Sequence, residues 1–200
     1  MITSFRIIGR RLYVLGFLLV GIFPVVALDF SGYGEDYSKK EAEKVLKLIA
    51  QMQRKQAEGD TRGLSKVMLT ESELNSYIAY RIEAERSEAL KELRLKIFEN
   101  NRVEGKIYID LRGQDLPKVL RPEMNFYLDG TIEVKEGSVR LNLKSLYLEG
   151  QKIQPQLLNM VIYVGSKAQN TEPFRLDDWF ELPYGIKDIV CEQGCAAFYY

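Results

Sequence analysis

The sequence predicts an α+β domain: a long, highly curved antiparallel sheet wrapped around a helix, with an additional N-terminal helix. Three observations predict it. Apolar residues recur at three- and four-residue spacing in two stretches, one opening near Ser38 and one after Thr70. From Leu93 the apolar period becomes two, as in strands with one buried face. The longest pair of such strands keeps its apolar residues on one face only if a residue is bulged out, and a bulge bends and twists a ladder.

At 200 residues, 46% apolar and 28% charged, the chain has room for one domain with a globular core. Lys plus Arg and Asp plus Glu both number 28, so the formal charge is zero. A nucleic-acid binder needs surplus cations to displace phosphate counterions, and none is present, so no nucleic-acid partner is expected. Histidine is absent, which excludes Ser-His, Cys-His and His-metal sites.

Met1 to Ala27 is built unlike the rest. Arg6, Arg10 and Arg11 precede an uncharged apolar run from Leu12 to Val26, and Val25-Val26-Ala27 ends it with a small residue. This pattern reads as a secretory signal peptide. The alternative is an uncleaved membrane anchor. The run of 15 residues is shorter than the roughly 20 a spanning helix needs, and Pro24 would break its end. Three arginines and no acid leave with the segment, so the rest carries 25 cations against 28 acids and has no bulk attraction to anionic membranes.

After a flexible leader at 28–37, residues 38–200 read as a single domain. A first helix is expected from about Ser38 to Ala57, with Val45, Leu46, Ile49 and Met52 as a narrow apolar stripe and Gly59 as its stop. Gly63 to Leu69 is a strand candidate. Thr70-Glu71-Ser72-Glu73 has the spacing of a capping box, and Leu74, Tyr77, Ile78 and Ile82 carry the helix behind it to about Ala89.

In the first hairpin, matching apolar faces sets Ile97 opposite Val103 and Lys96 opposite Glu104, with Glu99-Asn100-Asn101 as the loop. Asn tolerates the left-handed conformation such a loop needs. In the second, a turn at Glu136-Gly137 sets Val134 opposite Val139, Ile132 opposite Leu141, Glu133 opposite Arg140 and Asp129 opposite Lys144. Beyond Ser145 the alternation changes phase. One bulge near Ser145 brings Leu146 to Leu128 and Leu148 to Phe126.

Pro155 opens a third helix, in which Leu157, Leu158, Val161, Ile162 and Val164 are apolar around most of the girth, so deep burial or a greasy lining is expected. Thr171 to Leu182 is a loop holding Trp179. A last hairpin, Ile186 to Cys191 and Cys195 to Tyr200, turns at Glu192-Gln193-Gly194. That turn sets Cys191 and Cys195 facing each other, a disulfide candidate that export would let persist. No other Cys or His exists to complete a metal site, so no metal or cofactor is expected.

Enzyme signals are poor: the chain has no phosphate-cradling loop and no nucleophile elbow. Asp177-Asp178 beside Trp179 is the one acidic arrangement worth weighing, and adjacent acids in a loop are more often solvated. The apolar faces say more. Phe126, Leu128, Ile132, Val134, Val139, Leu141, Leu143, Leu146 and Leu148 form one continuous face. A sheet packed on a helix explains it; so does a groove for an acyl chain. The groove walls would be the hairpin residues Phe126, Leu128, Ile132, Val139, Leu141, Leu143, Leu146 and Leu148, with Leu74 and Ile78 from the second helix and Leu158, Val161 and Ile162 from the third.

Thr70-Glu71-Ser72-Glu73-Leu74-Asn75-Ser76-Tyr77 resembles the threonine-glutamate, then glutamate-leucine-asparagine start of a helix in short bacterial envelope proteins. These belong to the tubular lipid-binding superfamily (relatives of bactericidal/permeability-increasing protein), of the YpmS and LmeA kind. The likeness runs over roughly Leu64 to Phe198. It includes the long strands broken at Gly130, Gly137 and Gly150, the apolar helix at Leu157 to Val164, and Leu182-Pro183-Tyr184-Gly185-Ile186. The resemblance implies a curled sheet around a long helix with lipid bound between them, and no catalytic residues. The helix at Ser38 to Ala57 and the cysteine pair depart from the pattern. The expectation is therefore an exported, non-enzymatic envelope or periplasmic protein that binds a lipid or acyl chain. An envelope protein partner and membrane contact through the N-terminal segment are compatible with it. The rivals are a ligand-free interaction protein with a filled core and, behind it, a hydrolase using carboxylates.

Overall fold

The structure is a computed structural model that describes residues 37–58, 63–85, 89–114, 116, 118, 120–168 and 172–200. The expected signal segment, 1–27, and residues 28–36 of the expected leader lie outside these. Among the described residues the chain forms three helices and nine strands in two antiparallel sheets, the larger strongly curled.

Helix α1 (Lys39–Ala57) starts at Ser38, whose hydroxyl accepts from the Glu41 N–H at 3.4 Å. It buries Val45, Ile49 and Met52 of the expected stripe and also Ala42, while Leu46 is only half-buried. Strand β1 (Lys66–Thr70) runs straight into α2 (Glu71–Ala84). The capping box forms: Thr70 Oγ1 accepts from the Glu73 N–H at 3.2 Å and Glu73 Oε2 accepts from the Thr70 N–H at 2.9 Å. Glu41 Oε2 accepts from the hydroxyls of Ser72 and Ser76, which ties α1 to the first turns of α2. Helix α2 stops at Ala84, short of the expected Ala89. The Ala89 carbonyl already accepts from the Asp110 N–H at 2.8 Å, so the chain there belongs to the sheet.

Strands β2 (Leu90–Ile97) and β3 (Arg102–Asp110) pair as predicted, with Ile97 facing Val103 and Lys96 facing Glu104. Asn100 and Asn101 hold φ of 57° and 58° in the loop. Strands β4 (Glu123–Lys135) and β5 (Ser138–Leu148) turn at Glu136-Gly137, both left-handed. Val134 faces Val139, Ile132 faces Leu141 and Glu133 faces Arg140. After a shift, Leu146 faces Leu128 and Leu148 faces Phe126. The shift falls one residue earlier than expected. Asp129 faces Ser145 and Gly130 faces Leu143, so Lys144 is the bulged residue and the expected Asp129–Lys144 pair is not made. Asp129 instead accepts from Arg102 Nε at 2.8 Å. Gly130 permits the bulge there: a Cβ on it would lie 2.7 Å from the Asn142 carbonyl oxygen.

The large sheet has the order β2-β3-β4-β5-β6, where β6 is Gln151–Lys152. Strand β7 (Phe180–Glu181) also pairs with β5. The two short strands take opposite ends of the outer edge of β5: β6 at Tyr147 and Leu148, β7 at Ser138 and Val139. Between them the edge from Arg140 to Ser145 has no strand partner among the described residues.

Strands β8 (Asp188–Glu192) and β9 (Cys195–Tyr199) join β1 in the small sheet. Their turn is tighter than expected. Glu192 pairs with Cys195 and Cys191 with Ala196, leaving Gln193-Gly194 as the connection. Side chains alternate faces along a strand, so Cys191 and Cys195 point to opposite sides of the hairpin rather than at each other. Both are free thiols, Cys191 buried and Cys195 half-buried.

Helix α3 (Pro155–Ala168) is less buried than its composition predicts. Leu158 and Val161 are each 1% exposed, while Met160 and Tyr163 stand out in solvent. Leu158 and Val161 join the main core cluster, and Ser166 is buried as well. The first turns of the helix share a cavity wall with Arg140–Leu143 of β5, and a Cβ on Gly165 would lie 3.6 Å from the Ala89 side chain.

Candidate functional site

The structure brings most of the expected groove residues into one cluster. Leu74, Phe126, Leu128, Ile132, Val139, Leu141, Leu146, Leu158 and Val161 are all buried in it, and Leu143, Leu148 and Ile162 lie half-buried at its margin. Ile78 stands apart: with Leu93 and Leu95 it makes a separate cluster that fixes α2 over β2. Phe126, Leu141, Leu146, Leu158 and Val161 are no more than 1% exposed, so this part of the cluster is closed to solvent.

An opening exists where the edge of β5 lacks a strand. A cavity of about 310 Å³ is walled there by Arg140, Leu141, Asn142 and Leu143 of β5, by Pro155, Gln156 and Asn159 of α3, and by Arg175, Leu176 and Asp177. That volume sits at the lower end of the range for small-molecule sites. Its walls divide by chemistry. Leu141, Leu143 and Leu176 give an apolar floor that continues into the core; Arg140, Asn142, Gln156, Asn159 and Arg175 give a polar rim.

The rim is held by its own bonds. Asn159 Oδ1 accepts from the Leu176 N–H at 3.2 Å, tying the loop to the helix. Arg175 Nε donates to Asp177 Oδ1 at 3.1 Å, and the Arg175 N–H to Asp178 Oδ2 at 2.8 Å. Arg140 donates to Glu133 at 2.6 and 2.7 Å and lies 4.6 Å over the Trp179 ring. Beyond Arg140 an open polar hollow of about 660 Å³ is lined by Trp179, Lys135, Asn101 and Asp188 among others. Of these residues, Leu141 and Leu143 were expected in the site. The rim escaped sequence reasoning, because isolated polar residues on a strand edge look like any solvated face. Asn159 carried a readable signal as the lone amide within the apolar run Leu157 to Val164.

The carboxylates are set for charge. The hydrogen bond from Arg175 holds the Asp177 carboxyl below its ordinary value, against the small opposing effect of its burial. A general acid needs the opposite shift. Burial works against the charge of Glu73, but Lys44 and the Thr70 N–H outweigh it and keep its pKa low. Burial likewise opposes the Arg81 charge, which Tyr77 and Glu85 restore by direct contact. Lys44 and Glu73 join α1 to α2, while Tyr77, Arg81 and Glu85 brace α2 along its own length, and none of these five lines a cavity described above.

Among the described residues no helix is long and apolar enough to cross a membrane, and no three His, Cys, Asp or Glu side chains converge as metal ligands. No protein-family model matches the chain, and no curated protein matches it.

Proposed function

We propose that this chain is an exported, non-catalytic protein of the cell envelope that binds a lipid or other apolar ligand between the curled sheet and α3. In this reading the sheet wraps around the helix as in the tubular lipid-binding proteins its sequence resembles. The observation that carries the reading is the opening between β5 and α3, where an apolar floor meets a polar rim at a gap in the sheet edge. An amphiphile has the matching division: its polar head stays at Arg140, Arg175 and Asn159 while its chain enters over Leu141 and Leu143. Each methylene buried contributes about 0.8 kcal/mol. A chain too long for the present cavity enters by displacing α3, which buries one stripe of side chains.

The closure of Phe126, Leu141, Leu146 and Val161 favours a second reading, a filled core in a ligand-free interaction protein. Native mass spectrometry of the protein purified from its own envelope separates the two. Co-purifying lipid is the expected result. A protein that emerges bare, and takes up no fluorescent fatty acid, leaves the filled core as the better account.

A further inference from the structure

The opening between β5 and α3 is walled by backbone polar groups as well as by side chains. Successive residues of a strand turn their N–H and C=O groups to alternate sides, so β5 gives every second residue to β4 and the others to its outer edge. Three contacts fix which residues face which way. The Asn142 carbonyl turns toward β4, since a Cβ on Gly130 would lie 2.7 Å from its oxygen. The Ile132 N–H, opposite Leu141, turns away from β5 and donates to the Asn101 carbonyl at 2.8 Å. On the outer side, the Gly137 carbonyl accepts from the Leu182 N–H at 2.7 Å. Gly137, Val139, Leu141 and Leu143 therefore face outward. Leu182 and β7 meet the first two, and beyond the bulge the Leu146 carbonyl accepts from the Ile153 N–H at 2.9 Å. Between these contacts the outward N–H and C=O groups of Leu141 and Leu143 have no partner among the described residues. Leu141 is only 1% exposed, and both residues wall the cavity of about 310 Å³. Buried backbone groups are almost always paired, so two donors and two acceptors here call for an occupant with the complementary set.

We propose that the ligand of the opening is an N-acylated peptide, its first amides added as a short strand to the edge of β5 and its acyl chain laid on the apolar floor. The chain keeps the place that the lipid-binding reading gives it, and the assignment rests on that reading. A hydrocarbon chain alone would leave the Leu141 and Leu143 groups dry and unpaired, and an ester accepts hydrogen bonds but donates none. A peptide does both, and repeats both at the two-residue period, about 7 Å, that separates Leu141 from Leu143. Strand addition of this kind draws its affinity from main-chain bonds. Strands β6 and β7 already lie in the same lane, each antiparallel to β5, so the peptide would complete a lane that the fold leaves open in its middle. The size of the cavity admits a short stretch only. Its walls on α3 and at Arg175–Asp177 shut out the long strand edge of a second copy, whose own walls would collide with them.

The test varies the ligand and leaves the full chain unaltered. Titration calorimetry compares N-dodecanoyl-glycylglycine amide with its analogue in which an ester oxygen replaces the N–H between the two glycines, each below its micelle concentration. N-dodecanoyl ethanolamine, with a single amide, and N-acetyl-glycylglycine amide, with no chain, complete the set. The dodecanoyl peptide is expected to bind about tenfold or more tightly than any of the other three. It should also slow hydrogen exchange at the Leu141 and Leu143 N–H groups, read residue by residue by NMR. Equal affinity for amide and ester overturns the proposal and leaves the lipid-binding reading standing. Equal affinity for the ethanolamide does the same, and assigns the site to a lipid with one amide. An acetyl peptide that binds as well as the dodecanoyl one removes the acyl chain, and with it both the proposal and the lipid-binding reading. No binding by any chain-bearing probe also overturns both. Binding that leaves exchange at Leu141 and Leu143 unchanged refutes the placement on the β5 edge.

Discussion

Asn75 grips Leu95 by both of its backbone groups. Its amide nitrogen donates to the Leu95 carbonyl at 2.9 Å, and its amide oxygen accepts from the Leu95 N–H at 2.8 Å. One turn earlier on α2, Glu71 Oε2 accepts from the Ile97 N–H at 2.8 Å, and the Gly194 N–H donates to the Ile97 carbonyl at 2.9 Å. The Leu95 and Ile97 end of the outer edge of β2 is thus closed without a further strand. An open edge invites pairing with another chain, and a side-chain amide presents the same donor and acceptor a strand would. The Thr70-to-Asn75 stretch therefore starts a helix with Thr70 and Glu73 and closes a sheet with Glu71 and Asn75.

Removing that grip should be felt in stability. Asn75→Ala leaves the two Leu95 groups without these partners, at about 1–3 kcal/mol for part-buried backbone polar groups. Urea unfolding of the variant checks it, with Asn75→Gln failing to rescue because its longer arm moves the amide off register. A loss under about 0.3 kcal/mol would mean that water replaces the clamp at no cost.

Gly130→Ala should be costly although alanine is ordinary in strands. The added Cβ would meet the Asn142 carbonyl oxygen at 2.7 Å, a backbone atom fixed in the ladder. Overpacking of this kind costs about 1–3 kcal/mol. Gly137→Ala tests a different cause, since nothing lies near its Cβ but its φ is +73°. Thermal unfolding of both variants, each less stable than the parent, would show that close approach and backbone hand act separately along one hairpin.

The hairpins were legible because period two and turn chemistry agree. Asn100-Asn101 and Glu136-Gly137 each fix a register that one slip would destroy, and both registers hold. The bulge was legible only to within a residue. Alternation says that a residue must leave the ladder, but Gly130, on the opposite strand, chooses Lys144. The cysteine pairing failed because Glu192-Gln193-Gly194 permits two turn lengths, and one residue's difference moves Cys195 to the other face. Leu158 and Val161 were legible as core, while the exposure of Met160 and Tyr163 was not: composition tells that a helix is apolar, not how much of its girth has a neighbour. Arg140 was legible as the hairpin partner of Glu133 and no further: that Arg140 and Arg175 line one cavity with α3 depends on elements far apart in sequence.

Asp110 should dominate the acid limb near the open end of β3. Its carboxylate accepts from the Arg112 side chain at 2.6 and 2.9 Å and from the Arg112 N–H at 3.0 Å. These bonds bring its pKa from 3.8 down to about 2. A pKa depressed in the folded state adds stability above the unfolded value and loses it as pH falls through the folded one. The advantage of the parent over Asp110→Asn should therefore be full above pH 4 and vanish near pH 2. Melting temperatures measured across that range check it; a difference independent of pH would refute the assignment.

The two thiols should react differently. Burial, and then the neighbouring Cys195, push the Cys191 thiol up to about 11. It is buried, whereas Cys195 is half-buried beside the turn. A thiolate-seeking disulfide reagent at pH 8 should modify Cys195 first and reach Cys191 only on unfolding. Cys195→Ser should abolish the fast phase. Equal rates, or a native mass lowered by the two hydrogens of a disulfide, would contradict the observed register.

Leu141 and Leu143 sit two residues apart on β5 and share the floor of the opening, yet they differ in burial. Leu141 is 1% exposed and belongs to the core; Leu143 is half-buried at the margin. A lysine at Leu141 would put an unpaired charge among hydrocarbon, at several kcal/mol, and Leu141→Lys should fail to fold. A lysine at Leu143 can send its ammonium out past the rim while its stem fills the floor. Leu143→Lys should therefore fold, with a melting temperature within a few degrees of the parent, and lose about tenfold or more of its uptake of a fluorescent fatty acid, the fold-change of roughly 1.4 kcal/mol. Melting and uptake must be read together on both variants. A folded Leu143→Lys that binds as well as the parent removes the opening from the path of the ligand. A folded Leu141→Lys would show that the floor is wetter than its burial implies.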